Sequence, residues 1–303
     1  MTTLPRLLFL ILLVTAALLE RCPIGARTGL REPTPRPPAT PVPPPVGDRI
    51  VYARGVTTSN HEIFMTQPDT AGNGTQLTNH LGDDWHPALS PDGRQIAFVT
   101  QRDWPPGPLA LYVMSDAGTD LRFVVGPDRS VYIDRVAWSP DGATLAYSWR
   151  GGIWTIPAAG GSPNRVTPAD MIAWNPTWNP GGNEIAFERQ LSAVSNRIWG
   201  IRPDGSGLRQ LSRGAADEQH PDWGPDPDVL LFSSGNAVFR LQISTGAATL
   251  VLPDAQQPAS SPDGRRMAFV RSGQIWVANA DGTNAVRLTD GPNDRDPDWA
   301  VSR

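Results

Sequence analysis

From residue 48 onward, short apolar runs alternate with polar punctuation in four series of six. The clearest series reads Ile50-Val51-Tyr52, Ile96-Ala97-Phe98, Leu145-Ala146-Tyr147, Ile185-Ala186-Phe187, Leu230-Leu231-Phe232 and Met267-Ala268-Phe269. Runs that are apolar throughout predict strands covered on both faces. Another series ends in an aromatic each time, at Phe64, Tyr112, Trp154, Trp199, Phe239 and Trp276. A weaker one runs through Gln76-Leu77, Phe123-Val124, Arg165-Val166, Gln210-Leu211, Leu250-Val251 and Arg287-Leu288. The remaining series precedes a turn and covers Trp85 to Leu89, Asp134 to Trp138, Asn175 to Trp178, His220 to Trp223, Gln257 to Ser260 and Asp296 to Trp299.

The turn is Ser90-Pro91-Asp92-Gly93, repeated at Ser139-Pro140-Asp141-Gly142 and Ser261-Pro262-Asp263-Gly264. Weaker copies stand at Asn179-Pro180-Gly181-Gly182 and Gly224-Pro225-Asp226. Ser bonds within its own turn, Pro pre-sets φ at the second position, and Gly accepts positive φ at the end. The turn prolines 91, 140, 180, 225 and 262 are spaced by 49, 40, 45 and 37 residues. A period of about 40–45 residues with four strands per unit predicts an all-β, six-bladed β-propeller of four-stranded antiparallel blades.

The two ends of the body predict how the ring closes. It opens on Ile50 to Tyr52 with no turn-preceding strand before it, and finishes on Asp296 to Trp299, a turn-preceding strand with no successor. The C-terminal strand is therefore expected to be the innermost strand of the first blade, so that no open edge remains.

These residues resemble the TolB-like family of six-bladed propellers with WD40-like Pro-Asp-Gly repeats. The resemblance rests on Trp138-Ser139-Pro140-Asp141-Gly142 followed by Leu145-Ala146-Tyr147, and on Ile275-Trp276-Val277-Ala278-Asn279-Ala280-Asp281-Gly282-Thr283. It extends over nearly all of Asp48 to Arg303, and it implies a scaffold for protein contacts on the rim and central funnel. Where the family's founding periplasmic protein has a separate N-terminal α/β domain, only a tether is expected here.

Ahead of the propeller, Leu7 to Leu19 is a run of thirteen residues behind Arg6, apolar at every position but Thr15. That is the length of a signal-peptide core and short of the roughly 20 residues a spanning helix needs. Residues 1–26 are read as a signal peptide or a lipoprotein signal. Cys22, the single cysteine, stands where a lipidated cysteine would sit, but Leu19-Glu20-Arg21 lacks the small residue wanted before it. Cleavage near Gly25-Ala26, with the thiol discarded, is the other reading. Residues 27–47 are read as a linker, since eight of the seventeen residues from Arg31 to Gly47 are Pro, which favours extended polyproline II. Residues 48–303 form the propeller domain. The expected location is outside the cytoplasm: periplasmic, on the cell surface, or tethered to a membrane only through the signal or a lipid.

Charge and motifs narrow the chemistry. A formal net charge of -4 offers no basic excess for a phosphate backbone, so nucleic acid is not an expected partner. One cysteine excludes an intrachain disulfide. No Gly-x-Ser-x-Gly elbow, His-Glu-x-x-His pair or phosphate-binding glycine loop occurs. The Asp-rich stretches Asn279 to Gly282 and Asp294 to Asp298 do not follow EF-hand spacing and read as turns, as does Asn73-Gly74-Thr75. No catalytic residue, metal or cofactor is assigned.

Candidate binding residues come from aligning the blades by their turns. Five positions before each turn Pro stand His86, Arg135, Asn175, His220 and Gln257, with Asp296 at the matching place in the closing strand. All six are polar, and Pro follows five of them. At strand entry near the axis they would surround one mouth of the channel, either as a solvated rim or as a site for a polar ligand, an ion or a partner's peptide. The recurring Trp138, Trp178, Trp223 and Trp299 keep one register, which marks packing between blades. Trp104, with Pro105 and Pro106 in the longest insertion, lies outside that register and is a candidate contact loop. The expected function is a monomeric, non-enzymatic scaffold at the cell envelope that binds an envelope protein or a small polar ligand such as a carbohydrate. The alternative is a funnel-site carbohydrate lyase or hydrolase that uses His86 or His220 with a metal.

Overall fold

Each Ser-Pro-Asp-Gly phrase closes a hairpin in the computed structural model, which describes residues 47–57, 60–103, 109–126, 133–192, 195–214 and 217–302. In the first such turn, Gly93 N donates to Ser90 O at 2.8 Å and takes φ +68°. Ser90 Oγ donates to Asp92 Oδ1 at 2.6 Å and accepts from Gln95 N at 2.9 Å, so the side chains lock the turn they initiate. Ser139 with Asp141 and Ser261 with Asp263 repeat the arrangement.

The flanking strands build six four-stranded antiparallel sheets. The first blade holds β1 (Gly47–Thr57), β2 (Asn60–Thr66) and β3 (Thr75–Gln76). The second is β4 (Asp84–Leu89), β5 (Gln95–Thr100), β6 (Ala110–Ser115) and β7 (Arg122–Val125). The third is β8 (Ile133–Trp138), β9 (Thr144–Trp149), β10 (Gly152–Pro157) and β11 (Asn164–Arg165). The fourth is β12 (Ala173–Trp178), β13 (Ile185–Ser192), β14 (Ser195–Ile201) and β15 (Arg209–Gln210). The fifth is β16 (Glu218–Trp223), β17 (Val229–Ser234), β18 (Ala237–Gln242) and β19 (Ala247–Pro253). The sixth is β20 (Gln256–Ser260), β21 (Arg266–Arg271), β22 (Gln274–Asn279) and β23 (Val286–Arg287). β24 (Asp294–Ser302) then returns to the first blade and lies beside β1 in the order β24-β1-β2-β3.

Closure follows the expected pairing, with Ile50 opposite Trp299 and Val51 opposite Asp298. Farther along, Arg54 forks onto Asp294, Nε to Oδ1 at 2.6 Å and Nη2 to Oδ2 at 2.9 Å, and both side chains are buried. Such a bidentate pair adds orientation to the ladder.

The core lies between blades. Tyr52, Phe98, Tyr147, Phe187 and Phe269 are fully buried. Trp138, Trp178, Trp223 and Trp299 each join a cluster shared with the preceding blade, for example Trp138 with Ala88 and Val99. Trp138 Nε1 also donates to Ala88 O at 3.0 Å. None of the basic residues is Lys, and the planar guanidinium is what the outer layer uses. Arg54, Arg102, Arg165, Arg189 and Arg271 stack on the third-strand aromatics Phe64, Tyr112, Trp154, Trp199 and Trp276 at 4.2–5.9 Å.

One expectation needs correction. The innermost strands start before the aligned polar residues, at Asp84, Ile133, Ala173, Glu218, Gln256 and Asp294. His86 and its counterparts therefore lie inside the strands, within a bulge, and not at strand entry. The N-terminal segment with Cys22, and Trp104, Pro105 and Pro106, lie outside the described residues. Among the described residues no helix is long and apolar enough to cross a membrane.

Candidate functional site

The six innermost strands β24, β4, β8, β12, β16 and β20 pack side by side around the axis. Each slips register at the aligned position: around His86, Arg135, Asn175, His220, Gln257 and Asp296. Five of these residues take positive φ, His86 at 48°, Asn175 at 51°, His220 at 51°, Gln257 at 50° and Asp296 at 52°. For a residue with a Cβ this costs about 1–2 kcal/mol, and a following proline ordinarily disfavours it further. The bulge turns the backbone N–H toward the preceding blade, where a side chain accepts it. Ser148 Oγ accepts from Asn175 N at 2.9 Å, Glu188 Oε1 from His220 N at 2.5 Å and Ser233 Oγ from Gln257 N at 2.9 Å. In the last step around the ring, Gln257 Oε1 takes Asp296 N at 3.0 Å.

The side chains form a network. His86 Nε2 stands 3.0 Å from Asp134 Oδ1 and His86 Nδ1 3.1 Å from Asp296 Oδ2. Asp296, with 1% of its surface exposed, also accepts from Gln257 Nε2 at 2.8 Å. On the other side, Asn175 Nδ2 donates to Glu188 Oε1 at 2.5 Å. A solvated rim is thus not what the residues form: five of the six aligned residues are bonded into inter-blade contacts. By side chain, Arg135 and His220 stand apart, since His220 is held only through its backbone N and its Nδ1 is buried without a partner; Arg135 is the one of the two that lines the cavity described below. Arg135 has neither ion pair nor hydrogen bond from its side chain among the described residues, and its Nη1 is buried without an acceptor.

Burial and charge then separate the two histidines. Burial opposes the His86 imidazolium, but the Asp296 charge and the bonds to Asp134 and Asp296 outweigh it and push the group up to about 10. Burial likewise opposes the Asp296 carboxylate, yet His86, with Arg135 and His220, holds it well below the usual range. His220 goes the other way: burial and then the Arg135 charge push it down to about 4. Burial lifts Glu188 to about 7 against the bonds from His220 N and Asn175. At neutral pH the channel therefore holds a cationic His86 and a neutral His220.

A second ring lies two residues farther along each strand, at Ala88, Ala137, Thr177, Asp222, Ala259 and Asp298. Its polar members again clamp the next blade. Thr177 Oγ1 accepts from Trp223 N at 3.2 Å, Asp222 Oδ2 from Ser260 N at 2.7 Å and Asp298 Oδ2 from Leu89 N at 2.7 Å. Burial lifts Asp298 to about 6, with the Asp222 charge adding to it, and burial raises Asp222 as well. Ala88, Ala137, Thr177, Asp222 and Asp298 line, with Arg135, a cavity of about 310 Å³ that opens on the turn side of the propeller. The prolines of five turns form its collar and Trp138, Trp178, Trp223 and Trp299 its wall.

The aligned ring pointed to this region, but Asp134, Glu188, Asp222 and Asp298 were missed. The signal for the last two was available, since the same alignment read two positions on sets two Asp and a Thr among three Ala. The Asp-rich stretches weighed as ion ligands have protein partners: Asp281 Oδ1 accepts from Thr283 N at 2.9 Å, and Asp294 pairs with Arg54. Asn73 Oδ1 accepts from Arg54 Nη1 at 3.1 Å.

The architecture defines a six-bladed propeller closed by its own C-terminal strand, with a ring of polar side chains on its innermost strands. The TolB beta propeller domain profile matches residues 32–243, and the chain belongs to that family. An uncharacterized protein of Agrobacterium fabrum is 28% identical over 180 residues, 54% of this chain and 59% of that one. Dipeptidyl-peptidase 5 of Porphyromonas gingivalis is 26% identical over 265 residues, 83% of this chain and 32% of the peptidase. The chain thus spans only part of the curated relatives it matches. The crystal structure of TolB from Acinetobacter baumannii superposes with a TM-score of 0.69 at 19% identity, covering 83% of this chain and 66% of that one, a likeness of fold.

Proposed function

We propose that this chain is an exported, non-catalytic propeller that captures an envelope protein or a small polar ligand, a carbohydrate included, at the turn-side mouth of its channel. Residues 1–26 would direct export, residues 27–47 would act as a tether and residues 48–303 as the binding body. The observation that carries the reading is Arg135, which lines the cavity with its Nη1 buried and without an acceptor. A buried donor left without an acceptor inside a concave site is what a ligand group can complete.

Catalysis in the funnel with a metal on His86 or His220 is the weaker reading, since among the described residues no three His, Cys, Asp or Glu are grouped to hold an ion. Both His86 nitrogens face carboxylates, so the imidazolium has no lone pair to offer an ion. In its favour stands Glu188, whose lift to about 7 suits a proton-transfer group. Its Oε1, however, is taken by two donors, Asn175 Nδ2 within its own blade and His220 N of the next.

Capture from an envelope extract with the full chain as bait tests the proposal, alongside native mass spectrometry for a small ligand. Arg135→Gln is expected to weaken capture by about 1.5–3 kcal/mol, the worth of a hydrogen bond to a charged group. The same variant is expected to unfold cooperatively at a slightly lower temperature, because Arg135 makes no side-chain hydrogen bond but its charge supports the Asp296 carboxylate. Equal capture by wild type and variant would move the binding surface elsewhere, with the loop at Trp104, Pro105 and Pro106 next in line.

A further inference from the structure

Resting on the channel as a binding site, the cavity also carries information about which ligand it fits. Its floor holds Arg135, whose Nη1 is buried without an acceptor. Its wall holds two carboxylates, Asp222 and Asp298, each oriented through Oδ2 by a backbone N–H of the next blade. The mouth is apolar, a collar of turn prolines over indole rings. An anion alone would meet Arg135 but face two carboxylates, and a cation alone would leave Arg135 Nη1 without an acceptor. A buried charge without its partner is strongly unfavourable, so each singly charged class is penalised. A group that carries both charges a short distance apart satisfies all three side chains.

We infer that the turn-side cavity takes the zwitterionic head of a free α-amino acid with an apolar side chain, its carboxylate on Arg135, its ammonium between Asp222 and Asp298 and its side chain in the proline collar. The size agrees. About 310 Å³ is at the lower end of the range for ligand pockets, about 300–1,000 Å³, and suits one small molecule better than an oligosaccharide. Arg presents a planar fork matched to a carboxylate, and the two Asp, acceptor-only when ionised, match an ammonium. Binding of the ammonium favours the ionised form of both Asp, so uptake releases protons at pH values near the raised range of Asp298.

Titration calorimetry on the full chain with leucine, N-acetylleucine and leucine methyl ester tests this. Leucine is expected to bind at least tenfold more tightly than either derivative, a difference of about 1.4 kcal/mol or more. Arg135→Gln should bring leucine down to the affinity of the ester, and Asp298→Asn should bring it down to that of the acetyl derivative. Ala137→Phe fills the cavity without touching a charge and should abolish leucine binding in a protein whose melting temperature is retained, which keeps the test valid if either charge variant unfolds. Leucine and its ester binding alike would overturn the inference. So would no binding at roughly millimolar leucine in a protein that still captures an envelope partner through Arg135, an outcome that leaves the binding role standing. Loss of both leucine binding and Arg135-dependent capture would remove the two together.

Discussion

Deletion of residues 291–303 is expected to abolish the cooperative thermal transition of the propeller. The deletion removes β24, and with it Trp299 and Ala300 from the clusters on either side of the first blade. Removal of a buried Trp side chain alone costs about 3–5 kcal/mol. Arg54 loses Asp294 and stays buried as an unpaired charge, a further loss of about 3–5 kcal/mol. Leu89 N loses Asp298, His86 loses Asp296, and β1 becomes an open edge. Together these exhaust most of the roughly 5–15 kcal/mol that holds a domain folded. Circular dichroism through a temperature ramp reads the result directly. A cooperative transition within a few degrees of wild type would show that the ring does not depend on the closing strand.

The second large effect is at Asp296. Asp296→Asn keeps a side chain that tolerates positive φ and can still bond Gln257, but removes the charge that faces His86. We expect a loss of about 3 kcal/mol at pH 7, the lower end for breaking a buried pair, measured by urea unfolding. The pH dependence carries a sign. His86, raised from 6.5 to about 10, contributes stability that is complete below pH 6.5 and lost as pH rises through 10. Asp296, depressed below 3.8, contributes stability present above 3.8 and lost as pH falls through its folded value. Glu188 and Asp298, raised to about 7 and about 6, lose stability as pH climbs from the ordinary carboxyl range to those values. His220, lowered to about 4, gains it between 4 and 6.5, so these terms oppose one another there. Wild type should therefore weaken as pH rises from 6.5 toward 10, whereas the variant should lose most of that alkaline slope. An alkaline slope as steep in the variant as in wild type would mean that Asp296 does not hold the His86 charge.

The fold was legible because its devices are local. Ser-Pro-Asp-Gly encodes its own hydrogen bonds, and the second-strand triplets from Ile50 to Phe269 are buried in every blade. The closing strand followed from counting, since Ile50 had no inner partner and Trp299 no successor. The site was legible only in part. His86 and Asp296 were found as an aligned ring, but their pairing runs across the closure and reaches Asp134, one residue off the register, because a bulge displaces the side chains. Glu188 was hidden in the strand that follows Ile185-Ala186-Phe187. The residue after the aromatic is Ser148, Ser233, Val99, Val270 or Ala53 in the other blades, and only its partner in the next blade gives it meaning. For the same reason a double replacement of His86 and His220, neutral if they formed a solvated rim, is instead expected to cost stability through the loss of the His86 ion pairs.

The central claim is that the aligned residues form one charge network inside the channel, and the protonation of its two histidines tests it most directly. Nitrogen NMR of the imidazole rings, followed through a pH titration of the full chain, should show His86 protonated until about pH 10 and His220 neutral down to about pH 4. Both rings titrating together near 6.5 would contradict it, since two solvated imidazoles would behave that way.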